Sequence, residues 1–283
     1  MNITRLGMIA LCGLVCNVSA PNAQAKNEYS MSACAEEANS PSPTIVDATP
    51  AASSEAAPTP QIDVIAQQLL RGMASTYANL KAFSCVATLS GSPDVPRVRA
   101  TIAWQRPSRY NIVLMKDNDT TRVVSDGKTV YKRIASIPGE YVKDPANPAV
   151  KTLQAALASS GGDDFLLSNI DQIVARMTST DYETSGLQSL SLEAQNQIAG
   201  VDVVVARVQC AGENGQFKFS IDRKSHLLRR IDLSYLRGGE TIKGVESYAS
   251  VRINPDLPSS TFQFIARKGD KVYNTPEPTS YDA

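Results

Sequence analysis

Between Phe83 and Ile265 the chain alternates apolar and polar residues in short runs, each closed by a turn or a proline. A period of two puts every second side chain on one face of a strand. The clearest run is 97–106, where Val98, Ala100, Ile102 and Trp104 share a face and Arg106 ends it. Pro107 breaks the run, and Tyr110, Ile112 and Leu114 begin the next one. The same alternation predicts strands at 83–90, 109–117, 120–125, 129–134, 187–197, 201–210, 216–222, 227–236 and 241–253, with a last short one at 261–265. Ser125-Asp126-Gly127-Lys128, Asn214-Gly215, residues 222–225 and Gly238-Gly239 supply turns, which make chain neighbours antiparallel.

Two regions carry helical spacing instead. Ile62, Ile65, Ala66, Leu69, Leu70, Met73 and Tyr77 predict a helix over 63–77 with Asp63 as its cap. Val150, Leu153, Ala156 and Leu157 predict a short helix. Phe165, Leu166, Leu167 and Ile170 predict another beyond Ser159-Ser160-Gly161-Gly162. Asp163-Asp164 stands at the positive end of the second, as an electrostatic cap or a cation site. A sheet this wide curls, and its concave apolar face needs a cover. The expected fold is therefore α+β: an open, curled antiparallel sheet, an incomplete barrel of roughly ten to eleven strands, with a leading helix and a central helical lid.

The start of the chain reads as an export signal. Arg5 is the positive region, residues 6–20 are apolar, and Ala23-Gln24-Ala25 is a small-x-small cleavage site. That predicts a signal peptide at 1–25 and a periplasmic mature chain. Residues 26–61, rich in Ala, Pro and Ser, have no hydrophobic period and are expected to be a disordered tether. The folded domain is placed at 62–275 and a flexible tail at 276–283. With 28 basic and 28 acidic residues there is no basic excess for nucleic acid. Beyond the signal lie Cys34, Cys85 and Cys210. Cys85 and Cys210 sit on apolar faces, either as a disulfide or as two buried thiols. The one histidine, His226, lies beside a turn and reads as solvated, while Tyr131, Tyr141 and Arg133 read as sheet-surface residues. No metal-ligand spacing, nucleotide loop or nucleophile motif is present, so no cofactor, metal or catalytic residue is predicted and an enzyme is disfavoured.

Several motifs, in order, resemble one family. Arg106-Pro107 with Tyr110 four residues after the arginine, Ser125-Asp126-Gly127-Lys128 with the aromatic Tyr131 behind it, and Phe262-Gln263-Phe264 followed by Lys268-Gly269 are similar to segments of the LolA-like superfamily. These are the outer-membrane lipoprotein carriers and their relatives. The chain is most similar to a branch of uncharacterised periplasmic proteins, which has a cysteine on the strand after a Gly-Val turn, here Gly200-Val201 to Cys210.

The resemblance implies a half-barrel carrying a hydrophobic cavity, with Arg106 as the lid latch and Tyr110 in the place of a cavity aromatic. Without it, Arg106 at a strand end reads first as an arginine bending out to water. The candidate wall is Phe83, Leu89, Ile102, Trp104, Tyr110, Ile112, Leu114, Phe217 and Phe219. The candidate lid is Leu153, Leu157, Phe165, Leu166 and Leu167. All of them equally suit an ordinary filled core. The implied function is a monomeric periplasmic carrier of a lipid or acylated protein between membranes, working with an inner- or outer-membrane partner protein. The alternative is a lipid- or lipoprotein-sensing regulatory module on the same fold.

Overall fold

In the computed structural model the alternating runs pair into one sheet. Residues 60–180, 186–210 and 215–273 are described. The expected signal peptide, the tether through residue 59, Cys34 and the tail from 274 lie outside them. The first half contributes β1 (Gln61–Ile62), β2 (Ala82–Gly91), β3 (Val98–Gln105), β4 (Arg109–Lys116), β5 (Asp119–Asp126), β6 (Thr129–Ile134) and β7 (Glu140–Pro145). The second half contributes β8 (Leu187–Ile198), β9 (Val201–Cys210), β10 (Gln216–Asp222), β11 (Leu228–Arg237), β12 (Glu240–Ile253) and β13 (Lys271–Tyr273). The helices are α1 (Val64–Asn79), α2 (Leu153–Ser159) and α3 (Ile170–Met177), with a 3-10 turn at Leu166–Asn169 between the last two.

The strand order is β1-β8-β9-β10-β11-β12-β2-β3-β4-β5-β6-β7-β13, an open thirteen-stranded sheet. Chain neighbours from β2 to β7 and from β8 to β12 are antiparallel, as tight turns require. The halves join through β12 and β2. The very short edge strands β1 and β13 pair in parallel with β8 and β7. This order dictates where the helices go. β7 lies near one edge of the sheet and β8 near the other, so the chain between them has to cross the sheet, and α2, the 3-10 turn and α3 make that crossing. Register shifts in β12 between Ala249 and Arg252 and in β8 between Glu193 and Asn196 add the local bends by which a wide sheet curls.

Helix α1 starts where the Asp63 carboxylate accepts the amides of Ile65 (2.8 Å) and Ala66 (3.2 Å), the side-chain cap the spacing predicts. Its buried stripe is Ala66, Leu70, Met73 and Tyr77, while Ile65, expected on that stripe, is 65% exposed. Four further expectations need correction. Gln61 is not tether but β1, where it pairs with Ser189. β7 and β13 were not expected as strands. Glu140, Lys143 and Asp144 interrupt the apolar signal of β7, and β13 is three residues long and exposed. Residues 261–265 are not a strand: Ser259–Phe262 is a 3-10 turn, and Phe262 is buried beneath the guanidinium of Arg109, 5.4 Å from the ring centre.

Candidate functional site: the helix-covered face of the sheet

Register decides which side chains share this face. Trp104 pairs with Phe83 on one side and Tyr110 on the other, and Ile102 pairs with Cys85 and Ile112. Leu89 pairs with Val98 and Leu114 with Ala100, so they continue the same face. Across the β12–β2 join it runs on through Tyr248 and Glu246 to Ile231, and then to Phe219 and Phe217 of β10. The nine residues expected as a cavity wall are thus on one face, and all nine are buried. The five expected lid residues Leu153, Leu157, Phe165, Leu166 and Leu167 are buried too, in one apolar cluster with the wall and with the inner stripe of α1. The helices pack directly on the wall.

Polar contacts that fasten the central helices include the following. Lys116 on β4 pairs with Asp164 at 2.7 Å. Gln67 and Arg71 of α1 donate to the carbonyl of Thr178 just beyond α3, at 3.3 and 3.0 Å. In the middle of the sheet, Glu246 of β12 accepts the amides of Leu166 (2.7 Å) and Leu167 (3.3 Å). Asp164 therefore serves as an ion-pair partner. The carboxylate facing the amides of the 3-10 turn comes from the sheet.

Glu246 has no exposed surface. Besides the two amides it accepts the hydroxyl proton of Tyr248, one register position along the same face. Burial pushes its carboxyl up to about 7, against the opposing pull of the Tyr248 hydroxyl and the amides of Leu166 and Leu167. Burial also raises the Cys85 thiol, the Tyr77 hydroxyl and the Tyr248 hydroxyl well above their ordinary values, with the Glu246 charge adding to each. This polar knot in an apolar wall was not singled out from the sequence. A signal was present: Ile242, Gly244, Glu246 and Tyr248 alternate along one strand, so a carboxylate falls within an inward-facing row.

Arg106 lies at the end of β3, exposed, with its guanidinium 6.0 Å from the centre of the Trp104 ring. Its Nε–H donates to the carbonyl of Leu80 at 2.6 Å, and a terminal N–H donates to the carbonyl of Ala78. These acceptors are at the end of α1, where carbonyls lack helical partners. The helix that Arg106 ties is thus the leading one rather than the central pair. Cys85 and Cys210 are buried and not bonded to each other. β10, β11 and β12 lie between their strands, and adjacent strands are ~4.8 Å apart, too far for a bridge that needs Cα atoms within ~7 Å. His226 is exposed, as expected. Tyr131, Tyr141 and Arg133 belong to the opposite face, where they enclose Phe264.

Among the described residues no helix is long and apolar enough to cross a membrane. No family model matches the chain, and no curated protein matches it. Among solved structures it is similar to the lipoprotein LppX of Mycobacterium tuberculosis, at 13% identity over 70% of this chain and 99% of that one, with a TM-score of 0.42. It is also similar to MucB in the MucA/MucB complex of Pseudomonas aeruginosa, at 14% identity over 71% of this chain and 62% of that one, with a TM-score of 0.40. A LolA superfamily protein from Nitrosomonas europaea is similar at 12% identity over 70% of this chain and 97% of that one, with a TM-score of 0.27.

Proposed function

We propose that this protein is a periplasmic carrier that takes a lipid, or the acyl chains of a lipid-modified protein, between the apolar face of its sheet and the helices over it. The observation that carries this reading is the way the face is covered. A wall of large apolar side chains is overlaid by helices as short as Leu153–Ser159 and Ile170–Met177, whose polar ties include Lys116–Asp164, the bonds of Gln67 and Arg71 to Thr178, and the bonds of Glu246 to Leu166 and Leu167. Burying an acyl chain is worth roughly 0.8 kcal/mol per methylene, on the order of 10 kcal/mol for a long chain, enough to displace a lightly fastened cover. A membrane partner that prefers the displaced arrangement would then bias loading or release.

The test is to purify the mature protein under mild conditions, extract it with organic solvent and identify bound lipids by mass spectrometry. A lipid or lipopeptide in stoichiometric amount is expected. A blank extract, together with no uptake of a fluorescent fatty acid, overturns the reading and leaves a packed core serving protein contacts.

A further inference from the structure

Among the described residues three acidic residues are buried, Asp164, Asp222 and Glu246, and the side chain of Asp270, paired with Arg133, is buried as well. Asp164 has Lys116 at 2.7 Å and Asp222 has Arg229 at 2.6 Å. Glu246, the most deeply buried, takes part in none of the ion pairs. Its acceptors are satisfied instead by neutral donors, and two of the three belong to the backbone of the cover. The Tyr248 hydroxyl from its own strand acts on Glu246, whose charge in turn acts on Tyr248, on Tyr77 from α1 and on Cys85 from β2. All are held neutral around pH 7 by burial, and Arg229 of β11, which acts on Tyr77, is committed to Asp222. Among the described residues no cation pairs with Glu246.

We propose that Glu246 is a proton-dependent clasp: protonated, it lets the cover over the 3-10 turn stay docked on the sheet, and on losing its proton it favours release of that cover. The physical reason is the difference in surroundings. In the docked state an ionised Glu246 is a charge in an apolar wall, compensated only by hydrogen bonds. When the cover lifts, the same carboxylate meets water. Docking therefore takes up one proton and release returns one to solvent, at any pH between the ordinary carboxylate range and the raised value near 7. The sign is worked out accordingly. The docked arrangement is fully favoured below about 4.5, loses ground as pH rises through about 7, and then changes no further. For the cavity proposed above, on which this regulation of cargo entry rests, the clasp would open the face as the medium becomes less acidic.

Hydrogen exchange of the full chain, read as protection factors for residues 165–177 from pH 5 to pH 8, tests the clasp without any cargo. The equilibrium constant for opening is expected to rise up to tenfold per pH unit between about pH 5 and 7 and then to level. Glu246→Gln, which keeps the size and an acceptor oxygen but cannot ionise, is expected to show slow, pH-independent opening. A flat profile in the native protein, or an unchanged slope in Glu246→Gln, overturns the proposal. Should Glu246→Gln fail to fold, Tyr248→Phe serves. Losing the hydroxyl that favours the carboxylate should move the transition to higher pH, and an unmoved transition overturns the clasp. A pH-dependent cover on a protein that yields no lipid would fail the carrier and keep the clasp. Bound lipid with a flat profile would do the reverse.

Discussion

On one face of the sheet, α1 and the helices from Leu153 to Met177 lie over a continuous apolar wall, and their ties include a carboxylate without a cation. On the other face, the chain from Asn254 to Tyr273 runs back across the first half of the sheet. Asn254 accepts the amides of Lys81 and Ala82 at 2.7 and 3.0 Å, and Asn111 donates to the carbonyl of Thr261 at 2.8 Å. Phe264 stacks on Tyr131 at 4.9 Å and touches Tyr141 at 4.8 Å, while Arg133 lies 5.0 Å over its ring and pairs with Asp270. β13 then pairs with β7. The strap is held by aromatic contacts, the Arg133–Asp270 ion pair and ladder bonds. The helical cover hangs partly on a buried carboxyl that burial pushes up to about 7. The two covers differ in the chemistry of their ties: a buried carboxylate on backbone amides on one face, and an ion pair with aromatic stacking on the other.

The contrast can be broken at the wall first. Phe219 has no exposed surface and lies on the helix-covered face of β10. Phe219→Ala should lower the unfolding free energy by about 3–5 kcal/mol in denaturant titrations, the cost of removing a buried aromatic from packed surroundings. A loss below about 1 kcal/mol would mean that the face is loosely filled. On the strap side the expected effect is smaller. Phe264→Ala removes two ring contacts and a cation–π contact at a partly exposed site, worth about 1–2 kcal/mol. If it unfolds the protein as strongly as Phe219→Ala, the two covers are equally integral and the distinction fails.

The junction of α1 with the sheet gives a third, milder measure. Asp63→Ala removes the cap from Ile65 and Ala66 and should cost about 1 kcal/mol in the same titration. No change in midpoint would show that β1 pairing alone sets the start of the helix. The smallest expected effect sharpens the contrast between carboxylates. Burial alone would raise the Asp222 carboxyl, but the Arg229 guanidinium and the amides of Lys224 and Ser225 bring it down to about 2. Its stabilisation is therefore present above about pH 4 and is lost as pH falls through 2, the opposite sign to Glu246. Melting temperatures followed from pH 5 to pH 2 should fall more steeply in the native protein than in Asp222→Asn. Parallel curves would show that the pair contributes nothing.

Much of this was legible in the chain as written. Strands such as 201–210 and 216–222 were placed to the residue, because period-two alternation is local and each turn is marked by its own residues. Parity within a strand likewise put the nine wall residues on inward faces. β7 and β13 escaped because charged or exposed residues erase the alternation in β7, next to the edge, and in β13 at the edge itself. The 261–265 segment alternates for another reason: Phe262 and Phe264 point at a sheet already formed rather than pairing within it.

What the sequence determined by itself was the set of elements, the inward face of each and the placement of a helical segment between two groups of strands. These follow from the backbone's two periodicities and from side-chain polarity, properties of neighbours along the chain. Only the tertiary structure decided that β12 pairs with β2, that β7 and β8 fall near opposite edges, and that the chain between them must therefore cross the wall. It alone brought Glu246 to the amides of residues eighty positions away and placed Arg106 at the end of α1 instead of on the central helices. Strand order and long-range contact depend on how the whole sheet closes over its apolar face, and so does the environment that moves a carboxyl towards neutrality.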